Sequence, residues 1–168
     1  MSVRTAKTSH TSVKEKNVVS DAKKEGAVSE GAASSARRHL RFGWWLLLFF
    51  LSLGIILEAF NGFKVQWYMA VANQTRRELW TLSHAHGTLL ALINIAFGLT
   101  LRSAAGWPAT SRNMASRCLL GATVLLPLGF FLGGFVFYAG DPGLFIVLVP
   151  IGALLLFAAV LMIARRAS

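Results

Sequence analysis

The chain has 168 residues, of which 55% are hydrophobic and 14% charged, and its mean hydropathy is +0.56. Soluble domains carry about 25% charged residues, so the composition argues against an ordinary water-soluble domain and for a small polytopic membrane protein. Seventeen Lys+Arg against seven Asp+Glu give +10, and a single Cys excludes an intramolecular disulfide framework. No Cys/His spacing suits a structural zinc site.

Residues 1–41 hold nine Lys/Arg and four Asp/Glu among Ser, Thr, Ala and Gly, with no aromatic before Phe42. Such a segment buries too little apolar surface to offset its ordering entropy. A disordered, basic cytoplasmic tail is therefore expected over 1–41. A short helix near 13–25 would have nothing to pack against. His10 and His39 fall in this tail.

Residues 42–168 reverse the pattern. Phe42–Leu57 is an uncharged run of 16 residues broken by Glu58, and Leu79–Leu101, Cys118–Gly140 and Pro142–Ala164 are each 23 residues long without Asp, Glu, Lys or Arg. At a rise of about 1.5 Å per residue, about 20 helical residues cross a hydrocarbon core. The expected spans lie near 43–62, 80–101, 118–138 and 143–164. Helices satisfy their own backbone groups in lipid, and the runs lack the alternation of a β-barrel. Ala139–Gly143 has tight-turn chemistry that makes the last two spans antiparallel neighbours. The fold class is thus an all-α, antiparallel four-transmembrane-helix bundle with a disordered N-terminal tail. A cleaved signal is disfavoured, because the leader is long and no A-x-A-like site follows the first span.

The tail, the 102–117 loop and the C-terminal end carry nine, three and two Lys/Arg, against three on the opposite side: Lys64, Arg76 and Arg77. The positive-inside rule puts both termini in the cytoplasm of a multi-pass inner (plasma) membrane protein. Trp44 and Trp45 then lie at the cytoplasmic interface, with Trp67, Tyr68, Trp80 and Tyr138 near the outer one. The loop at 63–79 is apolar enough for a short interfacial helix around 65–72.

Intramembrane ionisable residues are functional candidates by default, and here they are Glu58, His84 and His86. Two helical positions turn about 200°, so His84 and His86 diverge and cannot chelate one metal together. Glu58 and His84 lie at matching depths, roughly 6–8 Å below the outer boundary, where a hydrogen bond between them fixes helix register, moves protons or binds a cation. Gly87, Ala91, Asn94 and Gly98 form a stripe of small residues with one amide, suited to close helix approach. Pro127, Gly129 and Gly133 in the third span, and Pro150 and Gly152 in the fourth, mark packing and two facing kinks that either curve the helices or open a lateral cavity. The basic Arg37-Arg38-His39-Leu40-Arg41 segment points to anionic lipid headgroups, not to nucleic acid. No nucleophile triad, phosphate loop or carboxylate pair is present.

RRHLRFGWW, EAFNGFKVQWY, TRRELWTLSHAHGTLLAL and GGFVFYAGDPG resemble a group of small bacterial inner-membrane proteins with four helices. That resemblance implies the architecture and carries no activity. The HAHG segment also resembles His-bearing helices of haem-copper oxidase subunits, although this chain lacks their further His-bearing spans. The residues thus favour a non-enzymatic accessory subunit or homo-oligomeric module without a cofactor, with Glu58, His84, His86 and Asn94 as its polar cluster. Two other readings stay open. One is a redox or proton-handling subunit (haem, metal or quinone) using His84 or His86 with Glu58. The other is a small transporter. Expected partners are the lipid bilayer and a second copy or a larger membrane complex.

Overall fold

The structure is a computed structural model that describes residues 4–103, 107–138 and 140–167. Among these, all regular elements are helical. Helix α1 spans Arg4–Gly62, α2 Gln66–Met69, α3 Gln74–Ser103, α4 Ala109–Phe135 and α5 Leu148–Ala167; 3-10 turns at Val71–Asn73 and Leu144–Val147 precede α3 and α5. Four helical stretches are long and apolar enough to cross a membrane: Gly26–Gly62, Val71–Ser103, Ala109–Phe135 and Leu144–Arg166.

Helix α1 passes without a break through residue 42, where the tail was expected to give way to the first span. Ala36 is 1% and His39 0% exposed, against the other helices and not in a solvated tail. The buried face of α1 repeats every seven residues, through Ala36, Gly43, Phe50 and Leu57. That spacing keeps one helix face on its neighbour, and the basic residues between these positions point elsewhere. Arg112 of α4 fastens the extension by donating to the Val28 carbonyl at 3.1 Å.

The helices pack in chain order, α1 on α3, α3 on α4 and α4 on α5, and small residues set each contact. A Cβ on Gly43 would lie 2.9 Å from the Ala91 carbonyl oxygen, and one on Gly98 3.1 Å from that of Ala36. Gly87 lies under the Phe50 ring. Between α4 and α5, a Cβ on Gly152 would lie 2.9 Å from Leu126, and one on Gly129 2.9 Å from Val149. Backbones approach this closely only where side chains are absent or small. The core sits along α3 and α4, around Leu90, Phe97, Leu119 and Leu126. Helix α5 is the least covered of the four long helices.

The two Pro-Gly segments do face each other, but as an interlocked contact: Gly129 and Gly152 lie in the α4–α5 packing, and Gly133 meets Ile146 of the 3-10 turn before α5. Pro127 lies inside α4. Pro150 does not kink a helix interior, because it falls in the first turn of α5, where a missing N–H costs nothing.

At the opposite end from Arg112, Arg76 ties the loops together. Its guanidinium donates to the Gly134 and Phe135 carbonyls at 3.1 and 3.4 Å, and to Asn73 Oδ1 at 2.9 Å. The first two are carbonyls that the end of α4 leaves unpaired. The same guanidinium lies 5.0 Å from the ring centres of Trp67 and Phe137, within cation–π range. The following turn is closed by Tyr138 and Asp141, each donating its N–H to the other's carbonyl, with Gly140 at φ +90°.

Candidate functional site

The four polar candidates fall in three places. His84 and Glu58 line one cleft of about 990 Å³ between α1 and α3, roofed by Tyr68 of α2. The local reason is Gly54. A helical carbonyl is normally shielded by the side chain four residues on, and at Phe50 that residue is Gly54. The His84 ring lies on this gap, and its Nδ1 is 2.8 Å from the Phe50 carbonyl oxygen. A carbonyl only accepts, so Nδ1 carries a proton, and a neutral ring in this position has its lone pair on Nε2.

The hydrogen bond expected between Glu58 and His84 is not formed. His84 is engaged with backbone, and Glu58 is exposed on the cleft wall, four residues beyond Gly54. Asn61, Arg77, Glu78 and Thr81 complete a polar mouth, and Leu51, Ile55 and Leu82 line the apolar part. Arg77 donates to the Tyr68 and Ala70 carbonyls at 2.8 and 3.1 Å, which holds the roof in place. Burial pushes the Tyr68 phenol up, more than its hydrogen bond to Thr81 and the Arg77 charge pull it down, so the roof stays neutral. The cleft is amphipathic, with one imidazole that can accept a proton or donate its Nε2 pair to a metal.

His86 faces the other way. Its Nδ1 bonds the Leu82 carbonyl of its own helix at 2.8 Å, and its ring lies 4.9 Å from that of Phe130 on α4. No group of three or more His, Cys, Asp or Glu among the described residues is placed to hold a metal ion.

Asn94 belongs to a third place, a buried polar network whose centre is His39. Its Oδ1 lies 2.7 Å from His39 Nδ1, and His39 Nε2 lies 2.7 Å from Ser116 Oγ. Asn94 Nδ2 donates to Thr123 Oγ1 and to the Leu90 carbonyl, both at 2.8 Å. Thr123 donates onward to the Leu119 carbonyl at 2.7 Å, and Arg38 donates to Ser116 Oγ at 2.7 Å. The bonds balance with a neutral imidazole at the centre. Asn94 Oδ1 accepts from Nδ1–H of a neutral His39, and Ser116 O–H donates to Nε2 while its lone pair accepts from Arg38. His39, Asn94 and Ser116 are 0% exposed. The Phe97 ring meets His39 edge-on at 4.7 Å.

Sequence reasoning missed His39, Ser116 and Thr123. His39 sits among three arginines that suggested solvent. Its signal was its place three residues after Ala36, on the face that repeats every seven residues.

Comparison with protein-family models, curated proteins and solved structures finds no match for this chain.

Proposed function

We propose that the protein is a multi-pass inner-membrane protein with both termini in the cytoplasm, acting as a non-enzymatic accessory subunit or homo-oligomeric module. In this reading the long helices form an antiparallel set in lipid. The observation that carries it is the closed accounting of the buried network. His39, Asn94, Ser116 and Thr123 spend their hydrogen bonds on one another, on backbone and, at Ser116, on Arg38. Polar groups used up in this way specify helix register and leave nothing for a substrate. The outward faces suit lipid: Phe49, Leu154 and Phe157 are large, apolar and exposed.

The test is extraction in mild detergent followed by mass determination of the protein–detergent complex. The reading expects a protein mass above the 18.3 kDa of one chain, as a multiple of it or with a co-purifying membrane protein. A lone monomer at native expression would overturn it.

A second reading is favoured by His84, whose free Nε2 lies in an open cleft. Bis-histidine haem ligation there requires the second His from a partner or second copy, because His86 diverges. A Soret band in the purified protein, lost in His84→Ala, would replace the accessory reading with this one. The transporter reading is weakened by the interlocked glycines of α4 and α5, and unhindered aqueous labelling of Cys at positions 129 and 152 would revive it.

A further inference from the structure

We infer that a second cleft, between the start of the apolar part of α1 and the end of α3, is a built site for the headgroup of an anionic phospholipid. The inference rests on the membrane reading above and turns a general preference for anionic lipid into a defined site. The cleft encloses about 800 Å³ and is lined by Arg37, Arg38, Arg41, Phe42 and Trp45 of α1 and by Arg102 of α3. Four arginines line it, with no carboxylate among the lining residues. Arg37 and Arg41 are one helical turn apart, where like charges repel. Arg102 lies in the last turn of α3. Arg38 alone has a protein partner, Ser116, which holds it in place from the buried network. A phosphodiester matches this arrangement, because guanidinium forks bind phosphate oxygens in pairs.

The apolar part of the lining decides which phosphate. Trp45 is 65% exposed, and with Phe42 it continues the cleft along α1 toward the apolar run. A free phosphate ion would use the arginines and leave that surface bare. A phospholipid would use both, with its phosphate on the guanidiniums and its acyl chains beside Trp45. Basic clefts between membrane helices on the cytoplasmic side are suited to such headgroups.

The full chain is reconstituted into zwitterionic vesicles containing a small fraction of lipid with brominated acyl chains, either anionic or zwitterionic. Quenching of Trp45 is obtained by subtracting the Trp45→Phe variant. Stronger quenching by the anionic lipid is expected. It should weaken about five-fold for each of Arg41→Gln and Arg102→Gln, and little for Arg117→Gln, at the same end of the molecule but outside the cleft. Equal quenching by both headgroups, or equal loss in all three variants, overturns the site while leaving the membrane reading intact. Abolition of the preference by millimolar glycerol phosphate would assign the cleft to soluble phosphates and overturn the lipid. Absence of quenching by any brominated lipid would overturn the membrane reading, and the site with it.

Discussion

At the residue scale, the buried network and the cleft make opposite demands on substitution. Asn94→Ala removes the acceptor for His39 Nδ1–H and the donor to Thr123, leaving a fully buried imidazole unsatisfied. A buried donor without a partner costs about 1–3 kcal/mol, so Asn94→Ala should lower the thermal unfolding midpoint in detergent, followed by circular dichroism. Glu58→Gln should shift the same midpoint hardly at all, within about 0.5 kcal/mol, because Glu58 is exposed and unpaired with His84. The contrast shows what single residues disclose. Asn94 was conspicuous as an amide in an apolar run. His39 was hidden by Arg37, Arg38 and Arg41, whose charge describes one face of α1 and says nothing of the other.

At the element scale, the four long helices were legible because about 20 uncharged residues in a row have few alternatives. Their ends were not. Helix α1 overshoots its apolar run because packing on α3 and α4 continues past it, through Ala36 and His39. Composition averages over faces, whereas a seven-residue repeat separates them. The glycines test this directly. Gly43→Val would drive a branched side chain into the Ala91 carbonyl and Ile95 and should cost about 1–3 kcal/mol by overpacking, read in the same melting experiment. Gly26→Ala meets nothing within 4 Å and should stabilise α1 by about 0.5–1 kcal/mol, the helix penalty of glycine relative to alanine.

At the scale of the whole molecule, the proposed orientation follows from charge alone and is open to direct test. In a Cys118→Ser background, a Cys replacing Tyr138, which is 87% exposed, should react with a membrane-impermeant maleimide added to intact cells. A Cys replacing Arg117 should react only after lysis; the reverse pattern would invert the topology. How the helices assemble was not readable from hydropathy, which treats four apolar rods as equivalent. The contacts do not. His39, Asn94, Ser116 and Thr123 join α1, α3 and α4, whereas α5 is held to α4 through Gly129 and Gly152. During synthesis, the first part of the molecule can therefore lock once α4 is in place, before the final rod docks. A nascent chain halted at that stage would already shield its costliest polar groups.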